Sequence, residues 1–177
     1  MKKLKIGILG TANIAKRSII PEIKKLDIHY ELAGIASRHM SKAKEIAEQF
    51  NTQAFSSYHD LINPQLIDAL YIPLPNALHY EYARIALSKG IHVLVEKSLG
   101  CNYNQVKELV DIARSNHVLL MENFQFRFHN QLDFLNEFIA SEKIGEIRTL
   151  TAAYSLHTFH AYIIVRYDKD FGGGDLV

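Results

Sequence analysis

An acid and a lysine, Glu96 and Lys97, directly follow the apolar run His92–Val95. A lysine at the end of a buried strand can polarise a carbonyl or hydroxyl oxygen and relay a proton. A surface ion pair with Glu96 is the plainer alternative. Gly10-Thr11-Ala12-Asn13-Ile14-Ala15 follows another apolar run, Lys5–Leu9. It stands where a dinucleotide fingerprint G-x-G-x-x-G/A belongs. Ala12 and Ala15 replace the later glycines, yet small residues still let backbone N–H groups approach a pyrophosphate. Ser37, Arg38 and Lys42 come after the run Tyr30–Ala36. An NAD site usually carries an acid here. A hydroxyl and two cations suit the 2′-phosphate of NADP better, with NAD as the alternative cofactor and an ordinary solvated helix start as the bland reading. The fourth stretch is Ile72–His79 (IPLPNALH). Pro73 and Pro75 fix its backbone, Asn76 can cap a helix or touch a cofactor, and His79 is either functional or a satisfied helix-start histidine.

All four stretches sit at ends of short Val/Ile/Leu-rich runs, to which Ala69–Ile72 and Val118–Met121 also belong. Such runs suit strands buried on both faces of a parallel sheet. Between them, Ala43, Ile46, Ala47 and Phe50 recur at helical spacing, as do Val106, Leu109, Val110 and Ala113. Tyr82, Ala83, Ala86 and Leu87 form a third stripe before Gly90. Ser41 and Asn102 are expected N-caps and Gly90 a helix stop. The alternation predicts an α/β fold with a doubly wound sheet.

After Met121 the pattern changes. Phe124, Phe126 and Phe128 alternate as a strand or interdomain surface would. A helix with Leu132, Leu135, Phe138 and Ile139 inward is expected to end near Gly145, followed by a strand over Ile147–Tyr154. The expected division is 1–122 for a dinucleotide-binding domain and 123–177 for the first part of a second domain.

Composition narrows the alternatives. The 177 residues carry 20 Lys+Arg against 19 Asp+Glu. That balance lacks the basic excess of a nucleic-acid binder, so no nucleic-acid partner is expected. An apolar fraction of 48% with mean hydropathy −0.05 fits a globular chain rather than a disordered one. The single cysteine, Cys101, fits a reducing compartment, and neither a signal peptide nor a membrane span is expected, which points to the cytoplasm. His157-x-x-His160 has no evident third ligand, so no metal is expected.

Seven phrases, in order, resemble the Gfo/Idh/MocA family of nicotinamide-dependent oxidoreductases. They are IGILGTANIAKR (Ile6–Arg17), IASR (Ile35–Arg38), DALYIPLPNALH (Asp68–His79), GIHVLVEKSL (Gly90–Leu99), MENFQFRFHNQ (Met121–Gln131), IGEIRTL (Ile144–Leu150) and RYDKDFGGGDLV (Arg166–Val177). The resemblance implies a Rossmann-type domain followed by the start of an α+β domain with a mostly antiparallel sheet. It implies that Gly10, Thr11, Ala12, Asn13 and Ile14 meet the pyrophosphate, and Ser37, Arg38 and Lys42 the adenosine ribose or its phosphate. Pro73, Asn76 and His79 would line the cofactor, Glu96 would bind near the nicotinamide ribose, and Arg127 would lie near the cofactor and the domain junction, with Lys97 the catalytic lysine.

The activity so implied is hydride transfer between a nicotinamide cofactor and a small-molecule, sugar-like or dihydrodiol substrate. The alternative is a module that keeps the cofactor fold without turnover. A homodimer is expected. Ser98 departs from the family's Glu-Lys-Pro, which leaves the backbone beside Lys97 less constrained. The family pattern also continues past Val177 into an Asp-containing turn and helix, so full activity is expected to need residues beyond this chain.

Overall fold

The computed structural model describes residues 2–153, which fall into two compact units, one ending at Asn123 and one beginning at Phe124. The first unit is a six-stranded sheet in the order β3-β2-β1-β4-β5-β6, with every neighbouring pair parallel. The strands are β1 (Leu4–Leu9), β2 (Tyr30–Ala36), β3 (Gln53–Phe55), β4 (Ala69–Ile72), β5 (His92–Val95) and β6 (Leu120–Glu122). This is the doubly wound order of a Rossmann fold. Its direction of strand addition reverses between β1 and β4, the place where open α/β sheets bind ligands at the carboxyl ends of their strands.

Side chains alternate across each strand, and both faces are apolar. Leu70, Ile72, Val93 and Val95 join one core with Ala83 and Leu87 of α4 (Asn76–Ser88) and Leu109 and Ala113 of α5 (Tyr103–Ser115). Ile8, Ile35 and Tyr71 join the other with Ile20 and Ile23 of α1 (Ile20–Lys25) and Ile46 of α2 (Met40–Phe50). This two-sided burial explains why the strands read as near-continuous apolar runs.

The punctuation follows local chemistry. Asn102 caps α5, its side chain accepting the Gln105 N–H at 3.0 Å. Gly90 ends α4 with φ +76°, while its own N–H donates to Leu87 O and that of Ile91 to Ala86 O, each at 3.0 Å. That bond pair is the Schellman arrangement, which favours glycine at this place. Ser41 does not cap α2. The helix already begins at Met40 with His39 as its cap residue, whose N–H reaches the Ser37 hydroxyl at 3.3 Å. A wide π turn over Ala15–Ile19 runs directly into α1.

The second unit departs from expectation in three places. Gln125–Phe128 is a 3-10 turn, not a strand, with Phe126 and Phe128 exposed. The next helix, α6 (Asn130–Ala140), stops five residues short of Gly145 and leaves Leu135, Phe138 and Ile139 exposed rather than inward. Residues 147–153 form no strand, because alternation makes a strand only where a second strand accepts its hydrogen bonds, and none pairs with them among the described residues. Tyr154, His157 and His160 lie outside the described residues, as does the stretch Arg166–Val177.

Candidate active site at the carboxyl edge of the sheet

Gly10 leaves β1 with φ +86°, and its N–H donates to Ala36 O at 2.7 Å, which ties the turn to the end of β2. A Cβ at this position would lie 2.7 Å from Leu74 Cδ2, so backbone angle and available space both require glycine. The chain turns helical at Asn13, and the first turn of a helix has N–H groups without intrahelical acceptors. Thr11, Ala12 and Ile14 are half-buried around this start, and Asn13 is exposed. A small-residue turn feeding a helix N-terminus fits a pyrophosphate.

At the end of β2 the four polar residues separate. Arg38, His39 and Lys42 are exposed, whereas Ser37 is buried and its Oγ accepts the His39 N–H. The cations are therefore free to meet a phosphate, while the hydroxyl also organises the turn. Pro73 and Leu74 are buried after β4, and Asn76 is the first residue of α4. His79 has a different place from a ligand contact. It is fully buried, and its two ring nitrogens face the Ser98 and Leu74 carbonyl oxygens at 2.6 and 2.7 Å.

Glu96 and Lys97 do not pair with each other. Glu96 Oε1 accepts the Tyr71 hydroxyl at 2.7 Å and Asn123 Nδ2 at 2.6 Å, and its N–H donates to Ile72 O. Burial, reinforced by the hydrogen bond to Glu96, pushes the Tyr71 phenol far above its usual range, so it stays a donor. Just past Lys97, the Leu99 N–H donates to Glu122 Oε1 at 2.9 Å. Lys97 itself is exposed and makes no ion pair among the described residues. The surface-pair alternative therefore fails. Lys97 stands between two neighbours fixed from β4, β6 and α4. The Lys97–Ser98 peptide is cis.

Strand register supplies the three partners that sequence reasoning missed. Tyr71 pairs with Leu94 and Val95 with Glu122, which carries Tyr71, Glu122 and Asn123 alongside the Glu96 loop. Arg127 is exposed on the 3-10 turn of the second unit. Among the described residues there is no cluster of acids, histidines or cysteines fit for a metal, and no helix is long and apolar enough to cross a membrane.

Residues 4–124 match the model of an oxidoreductase family with an NAD-binding Rossmann fold, GFO_IDH_MocA. The chain is 36% identical over 172 residues to D-xylose 1-dehydrogenase (NADP(+)) 2 of Haloferax volcanii, covering 97% of this chain and 52% of that protein. It is also 36% identical over 174 residues to dTDP-3,4-didehydro-2,6-dideoxy-alpha-D-glucose 3-reductase of Actinomadura kijaniata, covering 98% and 52%. Among solved structures it resembles KijD10, a 3-ketoreductase from Actinomadura kijaniata in complex with TDP-benzene and NADP. There the TM-score is 0.77 at 37% identity, over 83% of this chain and 46% of that one. The chain spans about half the length of the curated relatives it matches.

Proposed function

The chain belongs to the oxidoreductase family with an NAD-binding Rossmann fold, and from that premise we propose that it binds NADP(H) and that the whole protein transfers a hydride to or from a sugar-like substrate. One observation carries the reading. The Gly10 turn and an unpaired Lys97 share the carboxyl edge of one sheet, and Lys97 sits between anchored neighbours. The Haloferax relative is named for NADP(+), and the similar ketoreductase structure holds NADP.

The residues divide the work as follows. The N–H groups of the turn from Gly10 to Ile14 hold the pyrophosphate, and Arg38 and Lys42 take the 2′-phosphate, with the Ser37 hydroxyl toward the ribose. Pro73 and Asn76 stand at the same edge of the sheet toward the cofactor, and Glu96 faces the nicotinamide ribose. The bound cofactor supplies or accepts the hydride. In the reducing direction Lys97 polarises the substrate carbonyl and donates a proton to the oxygen; in the oxidising direction it takes the hydroxyl proton. Two exposed cations and no acid after β2 favour NADPH. Loss of charge-assisted phosphate contacts typically costs about ten- to a hundredfold in affinity, so NADPH is expected to bind that much more tightly than NADH. Fluorescence titration of both cofactors checks this, and equal affinities or a preference for NADH overturn it.

The protein is further proposed to form a homodimer. Leu135, Phe138 and Ile139 are exposed on α6, where Phe134 and Phe138 stack with ring centroids 6.0 Å apart. Leaving such a stripe in water forgoes about 25 cal/mol per Å² of apolar surface. Light scattering is expected to report twice the 20.2 kDa chain mass, and Phe138→Glu to halve it. A wild-type monomer refutes the dimer.

A further inference from the structure

His79 is the one buried side chain of the first unit whose ring nitrogens both face backbone acceptors among the described residues. Nδ1 lies 2.6 Å from Ser98 O and Nε2 2.7 Å from Leu74 O. A neutral imidazole offers one N–H and one lone pair. One ring nitrogen donates its proton to one of these carbonyls, and the same ring lies in contact with the other, so a single side chain spans both.

The two carbonyls belong to different loops. Ser98 follows Lys97. Leu74 lies in the turn after β4, and its Cδ2 occupies the space that a Cβ on Gly10 would need. One ring thus joins the lysine loop to the backbone of the residue whose side chain lies against the glycine turn. The other ties of the lysine loop, through Glu96 to Tyr71 and Asn123 and through Leu99 to Glu122, run back to the sheet instead. We propose that His79 is a positioning residue, a clamp between two loops that couples occupation of the Gly10 turn to the placement of Lys97. The coupling rests on the cofactor reading above, whereas the clamp itself needs no ligand. The clamp also holds the Ser98 carbonyl from outside the loop, where the family's usual proline is absent.

The test uses the 177-residue chain labelled with 15N-histidine, the His79 ring signals being assigned by their loss in His79→Gln. A His79 ring N–H protected from exchange with water is expected without cofactor. A ring N–H that exchanges as fast as that of a free imidazole overturns the clamp. Coupling is read with NADPH as the ligand and 13C-dimethylated lysines, the Lys97 signal being assigned through Lys97→Arg. In the wild type that signal is expected to shift on NADPH binding. In folded His79→Gln the shift is lost and NADPH binds about tenfold more weakly. An unaltered Lys97 response in that variant overturns the coupling. If His79→Gln does not fold, Leu74→Ala, which keeps the ring and removes the contact with the Gly10 turn, must abolish the response for the coupling to stand. A wild-type chain that fails to bind NADPH overturns the cofactor reading, and the ring spectrum then decides the clamp by itself.

Discussion

Replacing Lys97 with methionine in the whole protein is expected to lower turnover at least about a hundredfold while NADPH affinity stays nearly unchanged, the signature of lost proton transfer. The split follows from where Lys97 stands. Its backbone neighbours are held by Tyr71, Asn123, Glu122 and His79, and its own side chain takes part in none of those contacts. Methionine keeps the length and removes the charge without breaking the scaffold. Steady-state kinetics beside a cofactor titration check both halves. An unchanged rate removes Lys97 from the chemistry, and a parallel fall in cofactor affinity makes it a binding residue.

The second large effect is expected at Gly10. Gly10→Ala places a Cβ 2.7 Å from Leu74 Cδ2 in a backbone with φ +86°. The conformational penalty and the displaced Leu74 together cost about 2–4 kcal/mol, and NADPH binding falls below detection because the pyrophosphate turn reshapes. Gly90→Ala is the internal control. There φ is +76° and nothing lies within 4 Å of the added carbon, so only the conformational part remains, about 1 kcal/mol. Urea unfolding of both variants isolates the steric part as their difference. Equal destabilisation would show that Leu74 yields freely and that the turn is less tightly walled than its geometry implies.

Much of this arrangement was legible in the sequence, and the parts that were not share a cause. β2, β4 and β5 occupy the very runs Tyr30–Ala36, Ala69–Ile72 and His92–Val95, because strands covered on both faces need apolar residues throughout. β3 has only three residues, too few to make a pattern. The loops after β1, β2, β4 and β5 were readable as one edge, since parallel strands leave all their carboxyl ends on the same side. The partners of Glu96 and Leu99 were not readable, because Tyr71 and Asn123 reach the one and Glu122 the other through register across the sheet. The identity of His79 as a satisfied histidine likewise depends on two carbonyls contributed by separate loops. Alternation over residues 147–153 misled for the complementary reason, since a strand is a property of a pair.

The central place of β1 in the sheet also sets an order of events in time. Its first neighbour, β2, follows closely, with Leu4 opposite Tyr30, but the neighbour on its other side is β4, with Ile6 opposite Ala69. The Lys5 amide finds the Asp68 carboxylate only across a separation of 63 residues. Local pairing forms early and distant pairing waits for the chain to close. During synthesis, at roughly 5–20 residues per second, the Gly10 turn is made several seconds before the Leu74 that shapes it. The Gly10 turn thus leaves the ribosome well before Leu74 and acquires its final form only once Leu74 has joined it.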